Sequence, residues 1–157
     1  EESIRDEADY IPRGVKWIQD WAEEVDPVAQ VVSTRGGKRV AYDFLVVAPG
    51  IQLDWDKVQG LREALENAPN VSSNYDVRYA PKTWEMLRNF HGGTALFTHP
   101  ATPVKCAGAP QKIMYLTSDN LRRRGLLEKS HVIFASAGKA IFGVQPFASV
   151  LEGVVQR

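Results

Sequence analysis

The chain has 157 residues, of which 44% are hydrophobic and 24% charged, and its 19 basic residues balance its 19 acidic ones. This length predicts one domain, or one and a half, with a core that buries roughly two thirds of the unfolded chain's surface. The composition is typical of an ordered, soluble chain rather than a disordered one. The balanced charge excludes a general nucleic-acid binder, and the absence of about 20 consecutive apolar residues excludes a membrane-spanning helix within these residues.

The first forty residues alternate apolar and polar positions in a pattern that predicts a small antiparallel β-meander. We expect its strands at residues 15–18, 28–32 and 39–42, with a turn at Gly36-Gly37. Asp26-Pro27 is expected to interrupt the meander, because proline lacks the backbone donor that a central strand needs.

Residues 42–50 are an apolar run of strand length that ends in Pro-Gly. Such a run predicts a strand buried on both faces, as in a parallel sheet. The pattern weakens over residues 51–79, which we interpret as a linking region with a short helical turn at residues 61–65.

Residues 80–157 alternate helix and strand signals. The strands are expected at residues 94–98 and 131–135, and the helices begin near Pro81, Pro110 and Pro146, positions that suit the first turn of a helix. A strand, a helix and a second strand in succession predict a right-handed parallel βαβ unit. The sequence therefore predicts an α/β fold with the meander in residues 1–50 and the βαβ unit in residues 80–157.

The strongest candidate for chemistry is the segment of residues 98–112, because it joins the end of a parallel strand to a helix, where α/β proteins bind ligands. It holds the single cysteine, Cys106. The nearby helix N-terminus, Lys105 and Lys112 would each favour the thiolate, which is the nucleophilic form. The alternative is a buried structural cysteine that packs as a small apolar residue.

His99 is a candidate base or hydrogen-bond donor beside Cys106, against the alternative of a loop histidine with no role in a reaction. No G-x-G-x-x-G or Walker motif occurs, so a self-contained dinucleotide site is not predicted. The three histidines and one cysteine lack metal-ligand spacing, and we expect no metal site.

Five segments together resemble the sulfide:quinone oxidoreductases, in the branch shared by many bacteria and mitochondria. They are residues 44–54, 71–75, 82–84, 102–116 and 140–144. The most specific is Pro-Val-Lys-Cys-Ala-Gly-Ala-Pro-Gln-Lys at residues 103–112, whereas a strand ending in Ala-Pro-Gly is shared with many flavin disulfide-reductase relatives. The resemblance covers nearly the whole chain.

This resemblance implies an internal fragment of a larger FAD enzyme that is built from two Rossmann-like domains. Residues 1–50 would be the outer part of the FAD-binding domain, and residues 80–157 would begin a second dinucleotide-binding-like domain that has lost its nicotinamide role. The fragment alone is expected to be inactive and not to retain FAD.

By resemblance, Cys106 is the catalytic cysteine beside the flavin. In the family mechanism sulfide attacks a cystine-type bridge, one sulfur keeps the added sulfane atom, and the thiolate released at Cys106 forms a complex or adduct with the flavin. The reduced flavin then reduces quinone, and the sulfane sulfur leaves to an acceptor. The cofactor-binding positions implied are Ala22 by the adenine, Ala48, Pro49 and Gly50 along the FAD, and Pro103 and Lys105 as neighbours.

The resemblance also implies peripheral attachment to a bacterial or mitochondrial inner membrane, through segments absent from this chain. Exposed strand edges would also allow a homodimer. Three other functions stay open: a flavin relative such as flavocytochrome c sulfide dehydrogenase or type II NADH dehydrogenase, a single-cysteine sulfur carrier in the manner of a rhodanese, and a structural α/β module.

Overall fold

The computed structural model describes residues 4–102 and 104–156. The chain divides into two compact units, of which the first ends at Gly50 and the second begins at Ile51.

The first unit contains a three-stranded antiparallel sheet in the order β1-β2-β3. Its strands are β1 (Ala22–Asp26), β2 (Val31–Thr34) and β3 (Arg39–Ala41), and a short 3-10 turn at Glu7–Tyr10 precedes them. The predicted meander and its turn at Gly36-Gly37 are confirmed.

The strand predicted at residues 15–18 is wrong, since these residues make local turns instead. The Val15 N–H donates to the Pro12 carbonyl, and the Asp20 N–H donates to the Ile18 carbonyl. The true first strand lies a few residues later and is polar and exposed, so apolar alternation did not mark it.

The predicted interruption at Asp26-Pro27 is confirmed, and it delays the second strand. The Asp26 carboxylate accepts the N–H groups of Val28 at 2.9 Å and Ala29 at 2.8 Å, the local bonding by which aspartate forms turns. Strand β2 therefore begins at Val31 rather than at residue 28.

The buried strand predicted at residues 42–50 is wrong in this structure. Strand β3 ends at Ala41, and residues 45–50 have no strand partner among the described residues. The side chains of Phe44 and Val46 are 94% and 90% exposed. A strand buried on both faces needs a neighbour on each side, and the described part of the chain supplies none for this run.

The second unit is a helix and strand arrangement around one parallel pair. Its elements are α1 (Leu61–Asn67), α2 (Ala80–Arg88), β4 (Gly93–His99), α3 (Ala109–Arg123), β5 (Ser130–Ser136) and α4 (Gln145–Val155). Strands β4 and β5 pair in parallel, with Gly93 opposite Ser130 and His99 opposite Ser136. Helix α3 connects them and contacts both strands, which confirms the parallel βαβ unit and the α/β fold.

Helix boundaries in the second unit follow local signals. Pro81, Pro110 and Pro146 each lie in the first turn of a helix, as predicted. Gly92 follows α2 with φ +131°, and a Cβ there would lie 2.9 Å from the Lys129 carbonyl oxygen. Only glycine fits this close approach without strain.

The apolar core is small. The buried apolar side chains of the described residues are Leu65, Met114, Leu121 and Ala148, and α3 supplies two of them. Large apolar side chains of both units face outward, among them Phe44 at 94% exposure and Val150 at 66%.

Candidate functional site

The candidate site lies in the segment between β4 and α3. We call residues 100–108 the Cys106 loop. It follows the carboxyl end of a parallel strand, the edge at which open α/β sheets bind ligands. Pro103 lies outside the described residues, and its placement beside a cofactor stays a prediction.

The Cys106 thiol is free and exposed, so the alternative of a buried structural cysteine is wrong. The Cys106 carbonyl accepts the Ala109 N–H at 3.1 Å, which places the residue against the first turn of α3. Helix N-termini carry partial positive charge and favour anions. The neighbouring Lys105 is exposed and adds a cation on the adjacent residue.

A tyrosine from a distant part of the second unit also contacts the Cys106 loop. The Tyr75 hydroxyl donates to the Cys106 carbonyl oxygen at 3.1 Å across 31 residues of sequence. Burial, and after it the charge of Cys106, raise the pKa of Tyr75 above its usual value of 10.0. Sequence reasoning missed this contact because no local pattern links residues so far apart.

The loop that follows β5 also lies near Cys106. A Cβ on Gly108 would lie 4.0 Å from the Cys106 Sγ and 3.9 Å from the Phe142 ring. The Phe142 ring packs edge-on against Phe147 of α4, with centroids 6.4 Å apart. The segments after both parallel strands therefore meet beside the thiol.

An open groove of about 430 Å³ runs from Gly108 along α3. Two side-chain hydrogen bonds hold its walls: the Gln111 amide donates to the Ile141 carbonyl, and the Tyr115 hydroxyl donates to the Leu151 carbonyl at 3.3 Å. Burial raises the pKa of Tyr115 above its usual value of 10.0.

His99 lies at the end of β4. Its ring centroid is 6.3 Å from that of Phe134 on the neighbouring strand, and its carbonyl accepts the Ala137 N–H at 3.1 Å. The described hydrogen bonds do not join its side chain to Cys106, and a part in proton transfer stays a prediction.

The remaining predicted cofactor contacts belong to the first unit. Ala22 begins β1, pairs with Thr34 and is exposed. Ala48, Pro49 and Gly50 are exposed and lie outside any strand. Cys106 and Lys105, which are adjacent in sequence, therefore lie in the second unit, whereas these four positions lie in the first.

Neither a metal-binding cluster nor a membrane-spanning helix occurs in the described ranges. Across residues 4–102 and 104–156, no three or more His, Cys, Asp and Glu side chains cluster in a way that could hold a metal ion. Within the same ranges, no helix combines the length and the apolar character needed to cross a membrane.

A parallel βαβ unit and a separate antiparallel sheet place the chain in the Rossmann-like α/β class of folds. The X-ray structure of the sulfide:quinone oxidoreductase from Aquifex aeolicus matches with a TM-score of 0.62 and 26% identity, over 88% of this chain and 32% of that chain. No family model matches the chain.

Curated relatives agree with that structural match. The mitochondrial sulfide:quinone oxidoreductase of Mus musculus is 46% identical over 154 residues, which are 98% of this chain and 34% of that protein. The mitochondrial sulfide:quinone oxidoreductase of Dictyostelium discoideum is 42% identical, over 96% of this chain and 33% of that protein. These matches confirm the resemblance to the sulfide:quinone oxidoreductases, and the chain spans about a third of the length of these relatives.

Proposed function

We propose that this chain forms part of a flavoprotein that oxidises hydrogen sulfide to sulfane sulfur and reduces quinone. The observation that carries the proposal is its 46% identity, over 98% of the chain, to a protein named for both substrates. Oxidising sulfide to sulfane sulfur releases two electrons and two protons, and reducing a quinone to a quinol takes up the same number. The two half-reactions therefore balance, and the sulfane sulfur leaves to a sulfur acceptor.

We assign Cys106 as the redox cysteine. When sulfide attacks a disulfide, a new sulfur–sulfur bond forms at the attacked atom, the bridge breaks, and the other sulfur leaves as a thiolate. The exposed thiol three residues before α3, beside Lys105, suits the leaving thiolate because the helix end and the cation both favour negative charge. The other cysteine of the bridge must lie outside these residues, since the chain has one.

FAD is the cofactor that this reaction implies, and it would accept the electrons of sulfide before they reach quinone. The first unit fits main-chain contacts with such a group: Ala48, Pro49 and Gly50 are small or compact residues that are exposed and lie outside any strand. Ala22 is likewise small and exposed at the start of β1. The chain has no glycine-rich phosphate loop, so we do not expect it to retain FAD by itself.

Several wider features belong to the same proposal. Residues 1–50 would complete an FAD-binding domain, and residues 80–157 would begin a second dinucleotide-binding-like domain. Attachment to an inner membrane would be peripheral, through residues outside this chain. A homodimer formed through unpaired strand edges would be visible on a sizing column as a doubled mass.

An anaerobic sulfide titration of the holoenzyme tests the proposal. The flavin's visible absorption is followed in wild type, in Cys106→Ser, and in Ala101→Ser, a matched control that adds a hydroxyl to an exposed position of the same loop. We expect sulfide to bleach the flavin in wild type and the control but not in Cys106→Ser, with flavin content unchanged.

Bleaching that survives in Cys106→Ser would contradict the assignment of this cysteine. A holoenzyme that purifies without flavin, or whose flavin ignores sulfide, would contradict the function itself. Offering NADH in place of sulfide distinguishes a type II NADH dehydrogenase, whose flavin would be bleached by that donor instead.

A further inference from the structure

Tyr75 lies on a turn that is tied to the start of α2. We call residues 72–80 the Tyr75 turn. The Ser72 hydroxyl donates to the Tyr79 carbonyl at 3.0 Å and shares a 2.8 Å hydrogen bond with the Thr83 hydroxyl of α2. These bonds fix the beginning of the turn to the helix.

Hydrogen bonds and an ion pair also hold the rest of the Tyr75 turn. The Tyr75 N–H donates to the Ser73 hydroxyl oxygen at 3.3 Å. The Asp76 carbonyl accepts the Tyr79 N–H at 3.0 Å, and the Asp76 carboxylate pairs with Arg78 at 2.6 Å. The Tyr75 backbone is therefore held from both sides, and its half-buried ring extends from a fixed base.

The Tyr75 hydroxyl donates to a carbonyl oxygen that also accepts a hydrogen bond from the first residue of α3. The Cys106 carbonyl oxygen accepts the Tyr75 O–H at 3.1 Å and the Ala109 N–H at 3.1 Å. One donor comes from the Tyr75 turn and the other from α3. Together they fix the peptide group that carries the thiol, in a loop that otherwise lies exposed.

We propose, on the basis of the function proposed above, that Tyr75 is the positioning residue of the redox cysteine. Its O–H anchors the Cys106 main chain to the Tyr75 turn and so sets both the place and the reactivity of the thiol. Tyr75 acts through the Cys106 carbonyl and not on sulfide itself.

The hydrogen bond from Tyr75 acts on the thiol in two ways. A carbonyl oxygen carries partial negative charge and repels a thiolate on the same residue, and two donors on that oxygen offset the repulsion. Tethering also removes loop conformations in which the sulfur points elsewhere. The raised pKa of Tyr75, caused first by burial and then by Cys106, keeps the phenol protonated as a donor while the thiolate forms.

The test compares Tyr75→Phe with Tyr115→Phe in the reduced holoenzyme. Both changes delete a half-buried hydroxyl that donates to a backbone carbonyl, but the Tyr115 bond ends on Leu151. The first measurement is the rate at which iodoacetamide alkylates Cys106 at neutral pH, followed by peptide mass spectrometry. We expect Tyr75→Phe to slow alkylation by about three- to tenfold, the range given by one lost hydrogen bond, and Tyr115→Phe to match wild type.

The second measurement separates the two half-reactions by stopped flow. Sulfide-dependent bleaching of the flavin should slow in Tyr75→Phe, whereas quinone-dependent recovery of the flavin should keep its wild-type rate. A change in overall stability alone would affect both. Incorporating para-aminophenylalanine at position 75 restores a donor at the same place, and we expect it to restore alkylation and bleaching.

Wild-type alkylation and bleaching in Tyr75→Phe would overturn the proposal. Slowing of both half-reactions together, with an unfolding temperature lower than that of Tyr115→Phe, would also overturn it, since the role would then be structural. The alkylation comparison decides the role of Tyr75 even if Cys106→Ser still responds to sulfide, so failure of the proposed function is recognised separately.

Discussion

The two units of this chain are stabilised in different ways. In the described part of the first unit the only buried side chain is that of Thr34, and the turns are held by aspartate carboxylates that bond to backbone N–H groups. The second unit buries apolar side chains, among them Leu65 and Leu121 at 1% exposure. Local polar bonds are enough to shape a small sheet, whereas a parallel pair depends on a helix that covers it.

The two units are expected to open at different free energies. Regions with few buried apolar contacts open at low free energy, and packed cores open only near the global unfolding free energy. We therefore expect the second unit to be the more stable of the two, although it also holds the exposed Cys106 loop.

The largest effect that would test this contrast is expected from Leu121→Ala. Leu121 lies in α3 and is 1% exposed, so truncation should cost about 2–5 kcal/mol of unfolding free energy. Denaturant unfolding measures the loss, and Leu116→Ala in the same helix is the control because Leu116 is 54% exposed. Equal losses in the two variants would mean that the second unit has no packed core at α3.

Hydrogen exchange compares the units without any substitution. Amides of residues 45–50, which have no strand partner among the described residues, should exchange close to the rate of a free peptide. Bonded amides of β4 and β5 should be slower by roughly a hundredfold or more. Strong protection of residues 45–50 would show that this apolar run pairs with another strand after all.

The elements predicted well from sequence are those with local signals. Proline at the first turn of α2, α3 and α4 marks the start of each helix regardless of what surrounds it. The parallel pairing of β4 and β5 follows from the crossover helix between them.

The elements and contacts that were not predicted correctly from the sequence share a different cause. Strand β1 is polar and exposed along its length, so its place is set by the turn at Asp20 and by pairing with β2. Residues 42–50 have the composition of a buried strand, but burial needs partners that a single segment cannot specify. The contact between Tyr75 and Cys106 joins residues 31 apart and depends on the fold as a whole.

A smaller effect is expected in acid, and it should be confined to the first unit. The Thr34 hydroxyl, with the N–H groups of Trp21 and Gly36, lowers the pKa of Asp20 below its usual 3.8. Since the folded state then binds fewer protons than the unfolded state, this stabilisation is present above the unfolded pKa and is lost as pH falls through the folded one.

The protection of amides in the turn between β2 and β3, measured as the exchange rate relative to the intrinsic rate at the same pH, should therefore fall in acid, and Asp20→Asn should weaken that pH dependence. Asp43→Asn is the control, because Asp43 is an exposed aspartate of the same unit that lies outside this turn. An unchanged acid response in Asp20→Asn would assign the response to another carboxylate.

The smallest effect is expected from Gly108→Ala, beside the candidate cysteine of the second unit. Gly108 has φ −81° and ψ −19°, which alanine adopts readily, and the added methyl would meet Cys106 and Phe142 at 4.0 and 3.9 Å. These are ordinary contacts, so the unfolding free energy should change by less than about 0.5 kcal/mol.

Gly92→Ala is the contrasting variant: its φ of +131° and the 2.9 Å approach to Lys129 should cost roughly 1–3 kcal/mol. If denaturant unfolding found the two losses equal, the space beside Cys106 would be as closely packed as the end of α2, and the thiol could not be as accessible as its proposed chemistry requires.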